Sequence, residues 1–141
     1  MICIWTSGRI KNRKRVEQFI HDCFNHYFDG RLKRHIDVDV RFRNTIEDDL
    51  AGWCSGDKDE ILIEISRDYK DTKTLCRNIA HEIVHAKQFI RGEINDYNEN
   101  WIKGGKKRDH TARAYRSLPW EREAYREEKK LVKLYYDGWT Q

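Results

Sequence analysis

The sequence predicts an α+β domain: a twisted sheet of three to four strands packed on a long helix, with a further helix towards each end. Three observations carry that prediction. Ile36, Val38, Val40 and Phe42 alternate with Asp37, Asp39 and Arg41, and Ile61, Ile63 and Ile65 alternate with Leu62 and Glu64, which is the period-2 pattern of strands. Between about residues 72 and 91 the apolar residues recur at helical spacing instead. The same spacing runs through Val16, Phe19, Ile20, Cys23, Phe24 and Tyr27, and again from Trp120 to about Tyr136.

Taken in chain order, Ile2 to Thr6 reads as a short strand and Lys11 to Phe28 as the first helix, with Gly30 suited to its stop. Leu50 to Cys54 reads as another short strand. The turn-like Gly56-Asp57-Lys58-Asp59 follows, so that a hairpin with the 61–65 strand is expected. From Gly92 to Leu118 there is little apolar periodicity, and a connection that long in a small domain is commonly functional. Pro119 then opens the last helix in its favoured early position. With one proline, no repeat and no linker, residues 1–141 are expected to form a single domain.

Composition narrows the class. Hydrophobic residues are 38% and charged residues 37%, yet five Trp, seven Tyr and five Phe supply core material, which excludes a disordered chain. No run approaches the roughly 18 apolar residues of a membrane span, and the apolar start is too short for a signal peptide. A soluble, cytoplasmic protein is expected. Cys3, Cys23, Cys54 and Cys76 are scattered without a Cys-x-x-Cys pair. Their spacing therefore predicts reduced thiols, with neither a disulfide framework nor a second, structural zinc site.

The chemistry concentrates in His81-Glu82-Ile83-Val84-His85, an HExxH pattern inside the predicted long helix. Residues four apart on a helix point the same way, so both imidazoles can reach one metal ion, while Glu82 can hold and deprotonate a metal-bound water. With His81 at zero and about 100° per residue, Leu75, Cys76, Ile79, Ile83, Ala86, Phe89 and Ile90 fall between about 80° and 220°. His81 and His85 lie at about 0° and 40°, at the edge of that apolar face, where they can turn towards a neighbouring element.

A catalytic zinc commonly takes three protein ligands. On the last helix Glu121 sits central to the stripe of Ala124, Tyr125, Leu131, Val132 and Tyr135, where a carboxylate is costly unless paired or metal-bound. Glu121 is the preferred third ligand. Glu123 falls among Arg126, Lys130 and Lys133 and is expected to be solvated; Glu128 and His110 are weaker competitors.

This pairing of HExxH with a downstream helical Glu-x-x-Ala resembles the gluzincin class of zinc metallopeptidases, with His81, Glu82 and His85 matched first and then Glu121 and Ala124. The string His-Glu-x-x-His-x-x-Gln, followed by Pro-Trp-Glu-x-Glu-Ala, also looks like small metallopeptidase-like proteins of phages and bacteria. The likeness covers about Leu75 to Leu134. It implies a small zincin-like fold, bound Zn2+, and peptide or protein substrates. In that class the short alanine lets the second helix approach the first. One departure stands out: many gluzincins carry Asp or Asn four residues after the ligand Glu, and this chain has Tyr125.

The resulting expectation is a zinc-dependent peptidase in which Glu82 takes a proton from the attacking water and returns it to the leaving amine. Tyr125, His110 and Tyr115 are candidate donors to the oxyanion, and the strand at Leu50 to Cys54 is a candidate edge for an extended peptide. A different class competes. Arg9, Lys11, Arg13, Lys14 and Arg15 form one basic cluster, and Lys103, Lys106, Lys107, Arg108, Arg113 and Arg116 form another against Asp109 alone. Such clusters suit nucleic acid or an acidic partner, with the zinc site structural or vestigial. A latent peptidase whose basic loop covers the cleft is a third reading.

Overall fold

The computed structural model describes residues 1–30, 32–44, 46, 51–69, 71–94, 100–101, 106–107 and 118–139. Their order is β1 (Ile2–Ser7), α1 (Arg13–Tyr27), β2 (Ile36–Arg43), β3 (Gly52–Gly56), β4 (Glu60–Ser66), α2 (Thr72–Ile90), β5 (Asn100–Trp101), β6 (Lys106–Lys107) and α3 (Pro119–Leu131), which runs on as a π-helical segment, Val132–Asp137. The α+β architecture is as the sequence predicts.

Four strands form one mixed sheet in the order β1-β2-β4-β3. Strands β1, β2 and β4 are parallel, and β3 closes the sheet antiparallel to β4. Parallel neighbours need a long crossover, which α1 supplies between β1 and β2. The β3–β4 pair needs only a tight turn. There the Asp57 carboxylate accepts from the backbone of Asp59 (2.8 Å) and Glu60 (2.9 Å), an Asx turn of the kind the Gly-Asp-Lys-Asp string implies. β3 occupies 52–56 rather than the expected 50–54; Leu50 lies outside the described residues.

The period-2 residues sort by face. Ile36, Val38, Val40, Phe42, Ile61, Ile63 and Ile65 are buried in one cluster with the apolar faces of α1 and α2. Asp39 and Arg41 pair with each other on the opposite, wetter face, and Trp5 is exposed there. All seven residues placed on the apolar stripe of α2 from sequence are buried. The helix starts at Asp71, whose carboxylate accepts from Thr74 N at 2.7 Å, a standard N-cap.

The last helix differs from expectation in one respect: its final turns widen from α to π geometry. A 3.6-residue period cannot register that change, and the aromatic anchoring of the segment accompanies it. Arg15 lies 4.0 Å from the Tyr136 ring and 4.4 Å from the Trp139 ring, and donates to Tyr136 O at 2.8 Å. His26 Nδ1 meets Tyr135 Oη at 2.7 Å. Both contacts tie the segment to α1. Within the long connection, β5 and β6 pair as a short antiparallel ladder that apolar periodicity does not reveal. Among the described residues none of the four cysteines forms a disulfide, and Cys23 and Cys76 lie in the core. Among the described residues no helix is long and apolar enough to cross a membrane.

Candidate metal centre

α2 and α3 pack side by side, and Ala124 is fully buried in the core. Across this helix pair the carboxylate of Glu121 reaches both histidines of α2. His85 Nε2 lies 2.7 Å and His81 Nε2 3.2 Å from the same oxygen, Glu121 Oε1. One ligand atom from each of the three residues lies within 4.8 Å of the other two. His81, His85 and Glu121 are thus brought together as the sequence predicts, and Glu82 stands beside them on the wall of the adjoining cleft.

The second nitrogen of each imidazole is also engaged. His85 Nδ1 faces Gln88 Oε1 at 2.7 Å, and His81 Nδ1 faces Glu128 Oε1 at 3.3 Å. Both partners are acceptors, so each Nδ1 carries the proton and donates outward. The two Nε2 atoms therefore aim at a carboxylate oxygen with either a proton or an electron pair to offer. In the metal-free chain, protons fill the gap. Burial disfavours the His81 imidazolium, but its hydrogen bonds with Glu121 and Glu128 outweigh that cost and raise its pKa to about 10. Burial likewise opposes the Glu121 charge, but hydrogen bonds from His81 and His85 bring its pKa down to about 2. The His85 pKa is also raised, its contact with Glu121 overriding burial.

A divalent cation satisfies the same atoms in place of two protons. The donor set, two imidazole nitrogens and a carboxylate oxygen, matches zinc chemistry. Glu121 is completely buried, and its second oxygen, Oε2, has no hydrogen-bond partner among the described residues. A buried carboxylate oxygen left bare is costly unless a charge compensates it. The residues fit a metal.

Glu82 has a different environment. Burial raises its carboxyl above the ordinary range, the imidazolium charges of His85 and His81 oppose that, and the carboxylates of Glu121 and Glu128 add to it. A raised carboxyl suits a group that must hold a proton briefly near neutral pH. The cleft, about 420 Å³, is lined by Gly52, Asn78, His81, Glu82, Tyr125 and Glu128 among others. Gly52 brings β3 against α2. A Cβ there would lie 2.7 Å from Ile65 Cδ1, 3.0 Å from Glu64 O and 3.3 Å from Glu82 Cγ, so only glycine fits without displacement. A larger cavity, about 710 Å³, lies elsewhere, by Arg9, Lys11, Arg67 and the start of α2.

Of the competing ligands, Glu128 is buried but serves His81 Nδ1 rather than completing the cluster. The expectation that Glu123 is solvated is overturned. Its carboxylate accepts from Lys87 Nζ (2.7 Å) and Gln88 Nε2 (2.9 Å), and its side chain is only 16% exposed. The flank of α3 that carries it is covered by the last turns of α2, which an angle computed on α3 alone does not include. His110 and Tyr115 lie outside the described residues. Tyr125 stacks edge-on against His81 with ring centroids 4.6 Å apart.

Three roles escape the sequence reading. Gln88 orients His85 and is itself held by donating to Trp120 O at 3.0 Å. Glu128 orients His81. Asn78 lines the cleft with Nδ2 buried and without a partner among the described residues. Each had a signal: Gln88 three residues after His85, Glu128 on the stripe of Glu121, and Asn78 one helical turn before Glu82.

Two of the five residues of the first basic cluster are spent on the fold, while Arg9, Lys11 and Lys14 are exposed. Arg13 donates to Gly8 O and Thr6 O and pairs with Glu17, and Arg15 is stacked on Tyr136 and Trp139. In the second cluster only the backbone of Lys106 and Lys107 is described. The sequence matches no protein-family model and no curated protein.

Proposed function

We propose that the chain is a zinc metallopeptidase of gluzincin type, acting in the cytoplasm on peptide or protein substrates. The observation that carries this reading is the convergence of His81 Nε2, His85 Nε2 and Glu121 Oε1 while both Nδ1 atoms donate outward. Those three residues would hold the zinc. A bound zinc lowers the pKa of a coordinated water to about 7 and polarises a substrate carbonyl.

The remaining work falls to the chain's own groups. Glu82 accepts the proton of the attacking water on its carboxylate and passes it to the leaving amine, an exchange favoured by its raised pKa. Asn78 lines the cleft, and its Nδ2, without a partner among the described residues, donates to the carbonyl oxygen once the amide turns outwards. Tyr125, beside His81 at the cleft rim, contacts the substrate next to the reacting bond. β3 is an edge strand adjoining the cleft, and an extended peptide adds to it by backbone pairing.

The test uses purified full chain, elemental analysis and a mixture of quenched-fluorescent peptides. Glu121→Ala should hold one zinc fewer per chain than wild type. Glu82→Gln should keep the wild-type zinc content and lose turnover. Turnover retained in Glu82→Gln, or zinc content unchanged in Glu121→Ala, would overturn the assignment.

A further inference from the structure

We infer that Cys3, His35 and Asp37 form a second metal site, for a borderline-soft divalent cation such as Zn2+, at the end of the sheet where β1 meets the start of β2. Sγ of Cys3, a ring nitrogen of His35 and a carboxylate oxygen of Asp37 all lie within 4.8 Å of one another.

Strand pairing builds this cluster. Cys3 and Asp37 are register partners across the parallel β1–β2 ladder, so their side chains stand next to each other on one face. His35 lies two residues before Asp37 and meets it at 2.6 Å, Nε2 to Oδ1. The backbone behind them is held, since Ile36 N donates to Met1 O at 2.9 Å and Asp37 N to Asp59 O at 2.9 Å. The ligands thus sit on paired backbone rather than on a loose loop.

The donor set decides the class of ion. A thiolate with an imidazole selects zinc over magnesium or calcium, which prefer oxygen ligands throughout. Thiolate, carboxylate and neutral imidazole together balance a divalent charge, and the thiol proton passes to the buffer on binding. His35 and Asp37 are half-exposed, leaving room for water as a fourth ligand. Glu60, the register partner of Asp37 on β4, is a nearby protein alternative.

The location of Cys3 also needs a reason. Cys23 and Cys76 behave as small core hydrophobes, whereas Cys3 is at an outward position on β1, between the inward Ile2 and Ile4. Packing accounts for the first two and not for the third. A metal there would staple the edge strand β1 to β2, independently of the helix centre. Cysteine spacing could not predict it, because the only cysteine involved finds its partners across a strand pair.

The experiment titrates metal-depleted full chain with Co2+ and follows the thiolate-to-cobalt charge-transfer absorption in the near ultraviolet. The His81–His85–Glu121 centre has no sulfur ligand and cannot produce that band. The band should appear in wild type, persist in His85→Ala and Cys54→Ser, and vanish in Cys3→Ser and in His35→Ala, with unchanged far-ultraviolet circular dichroism in both. Absence of the band in wild type under excess Co2+, or its survival in Cys3→Ser, would overturn the site.

Discussion

His81 Nδ1 lies 3.3 Å from Glu128 Oε1, two turns along α3 from the glutamate that faces the other nitrogen of the same ring. This carboxylate stands in for the Asp or Asn whose place, four residues after Glu121, is taken here by Tyr125. The outer oxygen of Glu128 is in turn 3.8 Å from Arg77 Nε, so the orienting group is itself held. A carboxylate behind a ligating imidazole fixes its tautomer and raises its basicity. Glu128→Ala should therefore weaken zinc binding by about 10- to 100-fold, the usual cost of losing such a partner. Glu128→Gln, which keeps an accepting oxygen, should recover much of the loss. Competition against a chromogenic chelator reads both, and equal affinity in wild type and Glu128→Ala would refute the role.

Asn78 supplies a second prediction. A buried amide with no acceptor among the described residues is a standing cost, and its place in the cleft wall beside Glu82 would give it a use in the proposed turnover. Asn78→Ala should lower kcat by roughly 10²-fold, the scale set by removing one oxyanion donor, and leave the zinc content unchanged. A change confined to KM would make Asn78 a ground-state binding group instead.

Lys87 is almost completely buried, with Glu123 at 2.7 Å and Glu93 at 3.0 Å. Removing Glu123 leaves that ammonium and the Gln88 amide with fewer acceptors. Glu123→Ala should destabilise the fold by roughly 1–3 kcal/mol, seen as a lower urea midpoint at unchanged slope. Full solvation of Glu123 would predict almost no change.

Glu123 also shows where sequence reading stops. The strands at 36–43 and 60–66 and the helix at 72–90 were legible because a face buried against one neighbour repeats at the period of its own backbone. The same logic placed His81, His85 and Glu121, since each lies on or beside such a face. It failed for Glu123 because α2 covers the flank of α3 as well as its apolar stripe, and the angle reports only the stripe. Gln88 and Lys87 escaped for a related reason: they are polar residues of α2 buried against α3. The Cys3–His35–Asp37 cluster depends on which strands pair and in what register, information held by the whole sheet rather than by any segment.

The metal-free chain should show a distinctive pH profile. His81 has its pKa raised from 6.5 to about 10, because its hydrogen bonds with Glu121 and Glu128 outweigh burial. A raised pKa means the contribution to stability is complete below pH 6.5 and is lost as pH climbs towards 10. Glu121 has its pKa lowered from 4.5 to about 2, its histidine partners outweighing burial. Its contribution is present above pH 4.5 and is lost as pH falls towards 2. The raised carboxyl of Glu82 acts in the same sense as His81, favouring the fold when protonated. Together these groups place the metal-free optimum between pH 4.5 and 6.5. Zinc reverses the high-pH limb, since it takes neutral imidazoles and displaces their protons, and its affinity should rise with pH up to the His81 value of about 10. Urea midpoints of chelator-treated protein across pH 4 to 10 test the first statement. Calorimetry in buffers of different ionisation heat counts the protons released and tests the second. A metal-free midpoint that climbs between pH 7 and 9 would show that the histidine–glutamate contacts do not carry the charges assigned to them.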